Sequence, residues 1–394
     1  VHSELQFVLL FSVATAVAIG TRWLRVPYTV ALVVVGLALG ALPLGPRPEL
    51  THDLLFAVAL PGLLYEAAFH LPERWLKEMR ITIAALAVPG VVAVLALTTV
   101  LLLPAVRELT LLGALAFSAA TVATDPIAVV AVFRDLRAPS RLAALVEGES
   151  LFNDGTGVVV FNLVLAAASG AVLSIPAAAG KFALVSLGGA LVGALLALLV
   201  VQVYRRIDDP MIEVTLSVIA AYGSFALAER FGVSGVIGTV VAGLLCGRAA
   251  RRGSHSEAST AALRTFWEYV AFALNSIVFL LIGLQVRLPA LLLHWKPILL
   301  GYAVVVAVRF VVVAATAAVL SPTRERLPWR WTMVVAWSGL RGALAMVLAL
   351  RLPDSFPSRE LVVLMTFGVV LLSIVLQGLT VGPLLRRFGI QAER

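Results

Sequence analysis

Residues 147–157 read Glu147-Gly148-Glu149-Ser150-Leu151-Phe152-Asn153-Asp154-Gly155-Thr156-Gly157, three carboxylates inside an apolar run that extends over residues 141–170. About 20 mostly apolar residues suffice for a membrane-spanning helix. Each ionisable side chain at that depth costs about 2.5–3.5 kcal/mol unless it finds a partner, water or an ion. On a helix, Glu149, Ser150, Asn153 and Asp154 fall at about 0°, 100°, 40° and 140° around the axis, one polar stripe under half the circumference. Leu151 and Phe152 lie off it. The stripe reads as a wall of a pathway, and the neighbouring glycines admit close approach of another helix or backbone.

The surrounding chain has the same character throughout. Of its 394 residues 61 % are hydrophobic and 13 % charged, with a mean hydropathy of +1.02. Soluble domains hold about 45–50 % apolar and about 25 % charged residues, so a soluble globular protein is excluded, and so is a disordered chain. The apolar excess also runs too far for an enzyme on a single anchor. One cysteine, Cys246, excludes a disulfide framework and a Cys-based metal or iron–sulfur site. Thirteen stretches are candidate spans: 4–21, 27–43, 53–71, 82–104, 109–133, 141–170, 177–204, 211–229, 234–250, 264–286, 296–320, 331–351 and 359–386. They are too long and too little alternating for barrel strands. The fold class is all-α, a polytopic membrane protein. The first stretch lacks a basic leader and is followed at once by further spans, so it is counted as structure. The chain begins at Val1 rather than Met; a longer natural chain with a cytosolic tail is compatible with this.

Thirteen spans place the termini on opposite sides. Twenty lysines and arginines lie in loops on the C-terminal side and eight on the other. The positive-inside rule then puts the C-terminus in the cytoplasm and the N-terminus outside the plasma (inner) membrane. The net charge of +8 is thereby explained by topology, and no nucleic-acid partner is expected. The polar stretch 248–264 is expected to be a cytoplasmic connector. Arg309 and Arg341 have no loop to occupy and fall inside spans.

With the seventh span as a linker, the others form two six-helix sets of opposite direction. The fifth and twelfth spans then correspond, and each carries a breaker near its middle: Thr124-Asp125-Pro126, and Ser338-Gly339-Leu340-Arg341-Gly342. Interrupted helices at matching places in inverted halves point to a transporter binding site. Pro126 lacks an N–H and crowds the carbonyl of Val122, leaving carbonyls near Val122 and Thr124 as candidate cation ligands. Such backbone is tolerated only inside protein or beside a watery cavity. Asp125 and Asp154 can face one cavity with Thr124, Ser150 and Asn153. This oxygen-only set suits a group 1 cation better than zinc or copper, and no cofactor is required.

Glu66, in the third span, is a further buried acid. Arg309 is expected to pair with Glu149. Arg341 is expected to offset the negative end of a half-helix, and Asp125 a positive one. Glu147 reads as a solvated mouth residue, and Glu213 and Glu268 as span-end groups that reach toward water. The five histidines, His2, His52, His70, His255 and His294, fall in loops or at span edges, so proton handling is assigned to carboxylates. A carboxylate in a low-dielectric cavity favours a proton, and a bound cation displaces it. A site that opens to alternate sides only when occupied then exchanges one for the other. Asp154 is the better carrier, because Asn153 beside it adds dipoles and no second charge. One carboxylate changing state moves one cation per proton, which is electroneutral. A potassium/proton exchanger fits the same residues. A cation channel or sensor fits less well, since channels favour rings of like residues about an axis. An intramembrane aspartyl protease also needs two aspartates, but the Gly-x-Gly-Asp signature is absent.

The run from Glu147 to Gly155, preceded by Ala123-Thr124-Asp125-Pro126-Ile127-Ala128-Val129-Val130, resembles the sodium/proton antiporters of the cation:proton antiporter-1 family, whose members include the NhaP-type and NHE exchangers. The resemblance extends from Leu64-Tyr65-Glu66 to Ser338–Gly342. It implies an NhaA-like antiporter fold with unwound, crossing fifth and twelfth helices, and a non-enzymatic exchanger of Na+ or Li+ for H+ in pH homeostasis. It implies a homodimer in membrane lipid, with a dimerisation domain (1–81 and 171–295) and a transport domain (82–170 and 296–394) that moves as an elevator. Matched by motif, Asp154 resembles the ion- and proton-binding aspartate. Asp125 and Thr124 resemble its unwound-helix partners, Ser150 a further ligand, and Glu66 the third-helix acid of archaeal members. Asn153 resembles the electroneutral branch, and Glu149 with Arg309 the family's structural ion pair. Tyr65-Glu66-Ala67 departs from the Phe-Glu-Gly frequent in relatives.

Overall fold

The computed structural model describes residues 2–24, 26–42, 54–170, 174–252, 256–286 and 288–390. Helix accounts for 84 % and no strand occurs among the described residues, so the all-α class holds. The chain runs through α1 (His2–Leu24), α2 (Tyr28–Ala41), a π turn (Leu54–Ala59) into α3 (Leu60–His70), α4 (Glu73–Glu78), α5 (Arg80–Ala85), a π turn (Leu86–Gly90) into α6 (Val91–Ala105), α7 (Leu111–Val122) and α8 (Ile127–Asp135). There follow α9 (Ser140–Ala168), α10 (Ile175–Tyr204), α11 (Pro210–Arg230), α12 (Gly235–Arg251), α13 (Glu257–Gln285), α14 (Leu288–Leu293) and α15 (Trp295–Val319). The last part is α16 (Trp329–Trp337), α17 (Ala343–Leu350), α18 (Arg359–Leu372), a π turn (Ser373–Gln377) and α19 (Gly378–Phe388).

Local chemistry sets many of the boundaries. Thr110, Ser174, Asp209, Ser234 and Ser256 each accept backbone N–H groups at the start of their helices. Gly389 closes α19 in the left-handed conformation. The Ser256 cap and Glu257 in the first turn start α13 well before the expected residue 264. Most of the polar stretch 248–264 is therefore helix, split between the end of α12 and the start of α13, and not a connector. Residues 72–79 and 287–293, read as loops, contain the short helices α4 and α14. Eight helices, with broken or π-interrupted ones counted whole, are long and apolar enough to cross a membrane among the described residues; residues 8–21, 28–41 and 55–70 form shorter apolar helices. The protein is a multi-pass membrane protein.

Helices α3 and α10–α13 surround one apolar cluster that includes Tyr65, Phe69, Tyr204, Cys246 and Trp267. In it the Trp267 indole N–H donates to Ser217 Oγ at 2.9 Å. Helix α2 packs along α13, where Gly36 and Gly283 meet backbone to backbone with no room for a Cβ. A second cluster, with Ile83, Phe133, Leu145, Val334, Leu340 and Leu385, joins α5, α8, α9, α16 and α19. Helix α10 leaves Leu184, Leu187, Leu191, Leu195 and Leu198 more than half exposed along one stripe, a face suited to lipid or a second copy.

The turn between α15 and α16 returns to the beginning of α5. Glu325, 6 % exposed, accepts from the Thr82 N–H (2.8 Å), the Ile81 N–H (3.2 Å) and the Thr82 hydroxyl (3.0 Å). An acid accepting the free N–H groups of a helix start also opposes the positive end of the dipole. Glu325→Ala is expected to lower the thermal stability of the solubilised protein by about 1–3 kcal/mol, with Glu325→Gln losing less. Unchanged melting of the alanine variant in a tryptophan-fluorescence melt would contradict this role.

Candidate ion-binding site

The site is built where two helices lose their regularity. Between α7 and α8, Ala123 turns extended (φ −56°, ψ 135°). Asp125 precedes a proline, a position that disfavours helix, and Pro126 has no N–H to give. Between α16 and α17, Gly342 is extended (φ −125°, ψ −154°). The two breaks touch, as the Asp125 N–H donates to the Leu340 carbonyl at 2.8 Å. Both glycines are required by close approach. A Cβ on Gly339 would overlap the Arg309 guanidinium, and one on Gly342 the Asp125 carboxylate.

Four helix ends thus meet in the interior, and each is answered by a side chain. Arg341 Nη1 donates to Val122 O at 3.2 Å, the last carbonyl of α7. Arg309 donates to Val335 O (3.1 Å) and Ala336 O (3.2 Å) at the end of α16, and Gln377 Nε2 to Trp337 O (3.0 Å). The Val122 carbonyl, expected to be available to a cation, is therefore occupied. Asp125 Oδ1 accepts the Ile127 N–H at 3.0 Å at the start of α8, while Asp125 also lies against Gly342 at the start of α17. The Arg341 N–H donates to Ser373 Oγ at 3.0 Å. Ser373 and Gln377 are both supplied by the π turn before α19, a distortion frequent at functional places.

The α9 stripe joins this crossing. Arg309 forms a two-pronged pair with Glu149, Nη1–Oε1 3.0 Å and Nη2–Oε2 2.9 Å, with Glu149 2 % and Arg309 6 % exposed. Asn153 Nδ2 donates to Glu149 Oε1 and to Thr124 Oγ1, both at 2.8 Å, and Thr124 Oγ1 lies 2.8 Å from Ser150 Oγ. Glu149, Asn153, Thr124 and Ser150 thus form one connected network with Arg309.

Asp154 adjoins that network at Thr124 and is only partly satisfied. Its Oδ1 is buried without a hydrogen-bond partner. Asp154 lines a cavity of about 100 Å³ with Thr124, Asp125, Ser150, Glu66 and Glu147, closed by apolar residues of α3 and α17. Glu147 is thus on the cavity wall and not simply in a solvated mouth. Glu66 also contacts His70, with Oε1 3.1 Å from Nδ1, so this histidine belongs to the surroundings of the site. Asn275 of α13, not singled out in the sequence, lines the cavity as well. Arg309 and Arg341 do not reach it among its lining residues; both act on helix ends. Among the described residues no three His, Cys, Asp or Glu side chains converge as a metal site.

The family model described as "Sodium/hydrogen exchanger, transmembrane" matches residues 8–387. The chain belongs to the sodium/hydrogen exchanger family. This is a family of transporters, not of enzymes. A relative, the Na(+)/H(+) antiporter ApNhaP of Aphanothece halophytica, is 34 % identical over 395 residues, 99 % of this chain and 75 % of that protein. The Na(+)/H(+) antiporter NhaH of Halobacillus aidingensis is 35 % identical over 401 residues, 98 % of each chain. The structure of the sodium proton antiporter MjNhaP1 from Methanocaldococcus jannaschii at pH 8 superposes with a TM-score of 0.78 at 22 % identity, covering 94 % of this chain and 97 % of that one, which establishes the shared fold.

Three variants of the exchanger test this geometry. Breaking a buried pair by removing one charge costs about 3–5 kcal/mol. Glu149→Gln is therefore expected to melt well below the parent protein. Glu149→Leu/Arg309→Met should recover part of that loss, but not all, since the α16 carbonyls stay uncapped. Equal stability of the single variant and the parent would refute the pairing. Asn153→Asp removes both donated bonds and sets a carboxylate against Glu149. It should lose about 1–3 kcal/mol of stability per lost partner, read in the same melt.

Proposed function

We propose that the protein exchanges Na+ or Li+ for H+ across the plasma membrane, one for one, with Asp154 as the shared site. The observation that carries this reading is the contrast between neighbours on α9. Glu149 is neutralised by Arg309, Asn153 is uncharged and committed to Thr124 and Glu149, and Asp154 has an unpartnered oxygen in an oxygen-lined cavity. A carboxylate withdrawn from water needs either a proton or a cation. One such group alternating between the two leaves net charge movement at zero. Thr124 and Ser150 supply neutral oxygens, Asp125 and Glu66 the adjoining negative charge, and Arg309 and Arg341 hold the frame. The names of the relatives above support sodium as the cation.

Alternating access is assigned to residues 82–170 and 296–394 moving as an elevator against residues 1–81 and 171–295. The latter form the contact in a homodimer, with the N-terminus outside and the C-terminus cytoplasmic. The cavity supports this division. Its walls come from α3 and α13 on one side and from the break between α7 and α8, α8 itself, α9 and α17 on the other.

The test uses proteoliposomes with an imposed pH gradient, challenged with Na+, Li+ or K+, with and without a potential clamp. The parent protein should dissipate the gradient with Na+ or Li+ irrespective of potential, and Asp154→Asn should be silent. Cation flux without proton movement, or an active Asp154→Asn, would overturn the proposal. A response to K+ alone would change the cation and keep the exchange. Because proton and cation compete for one carboxylate, the apparent KM for Na+ should rise about tenfold per pH unit on the acid side and level off on the alkaline side. A KM flat across that range would remove the shared site. Gly342→Ala, which drives a methyl into Asp125, should cut exchange at least about fivefold, given a steric cost of about 1–3 kcal/mol. An undiminished rate would show that Asp125 is free to move aside.

A further inference from the structure

Much of the wall of the cavity that Asp154 lines is apolar. Leu60, Leu63, Leu64 and Ala67 of α3 make up much of it. Against that background Asn275 of α13 is out of place. It is 8 % exposed, it lines the cavity, and its Oδ1 is buried without a hydrogen-bond partner. No hydrogen bond to its carboxamide occurs among the described residues. Buried amides are nearly always paired, and an unpaired one aimed into a cavity calls for water or a ligand. The adjacent polar residue behaves ordinarily. Ser276 Oγ lies 2.7 Å from the phenolic oxygen of Tyr28 and donates to the Phe272 carbonyl. The unpaired amide is thus specific to the position that lines the cavity together with Asp154, Thr124 and Ser150.

We propose that the Asn275 carboxamide oxygen is a direct, uncharged ligand of the transported cation, supplied from α13 to the cavity that Asp154 lines, and that it sets cation affinity and selectivity. This rests on the exchange reading above. An amide oxygen is a hard donor of the kind that alkali and alkaline-earth cations take. Being neutral, it adds a ligand without adding a proton-binding group, so the one-for-one exchange is preserved. It also gives the cation a grip on both walls. Apart from Glu66 of α3, the groups assigned to the cation belong to the broken helices and α9, whereas Asn275 belongs to the long helix α13. A proton on Asp154 makes no such bridge.

The experiment compares the parent protein, Asn275→Ala and Asn275→Asp in proteoliposomes. A second readout is the Na+ concentration that half-maximally stabilises each protein against thermal unfolding, which needs no transport. Loss of one neutral ligand should raise the apparent KM for Na+ and the half-stabilising concentration together, by about tenfold, with Vmax within about twofold and the Na+:Li+ preference altered. Asn275→Asp, which keeps an oxygen there, should return the KM at alkaline pH to within about twofold of the parent value. An alanine variant with unchanged KM, unchanged half-stabilising concentration and unchanged preference overturns the assignment. So does a fall in Vmax alone, which would mark a packing role. If Asn275→Ala fails to fold, Asn275→Ser is read by the same criteria. A parent protein that exchanges nothing would defeat the exchange reading instead, and the two failures are thus distinguishable.

Discussion

Two helices that stop in the middle of a membrane leave unsatisfied carbonyls at two ends and unsatisfied N–H groups at two others. The whole interior is arranged to answer them. Arg309 and Arg341 sit on the two carbonyl ends, and Asp125 lies between the two N–H ends. The remaining structure follows from placing these charges. Arg309 is held by Glu149, which fixes α9 against α15 and α16. Glu149 in turn holds Asn153, and Asn153 holds Thr124 at the break. The π turn before α19 exists to bring Ser373 and Gln377 to the same crossing.

This arrangement separates two kinds of buried carboxylate. Glu149 and Asp125 have defined partners and are part of the frame. Asp154 has an oxygen with none. In the exchange proposed above, Asp154 changes charge while the frame stays in place, and the pairing of Glu149 with Arg309 suits the frame to that. The arginines belong to the frame as well, because each is committed to carbonyls at a helix end.

Much of this was legible in the sequence because the signals are local. Asp-Pro and Gly-x-x-Gly inside apolar runs announce breaks, and the helical spacing of Glu149, Ser150, Asn153 and Asp154 gathers them on one face. The Arg309–Glu149 pair was reachable by elimination among buried charges. Contacts set by tertiary packing were not. Which carbonyl Arg341 would meet depends on how the two breaks cross, and the pattern around Val122 pointed to a free oxygen that the fold uses up. Glu147, seven residues before Asp154, shares its face of α9 by helical spacing, whereas Asn275 reaches the cavity only through the rotation of α13, for which an apolar sequence has no marker. Helices α4 and α14 are too short for a periodic signal. Glu325 stands between Arg324 and Arg326 in a turn, and nothing local marks its partners, which lie more than 240 residues earlier.

That last separation bears on how the protein is made. The beginning of α5 is completed by Glu325, the end of α7 by Arg341, and Glu149 by Arg309, so every one of these partners is synthesised in the second half of the chain. While the ribosome is still translating that half, the first half sits in the bilayer with uncompensated acids and open helix ends. The native crossing is therefore a late event in biogenesis. An emerging chain must be kept hydrated or chaperoned at residues 123–126 and 149–154 until residues 309–341 arrive to close it.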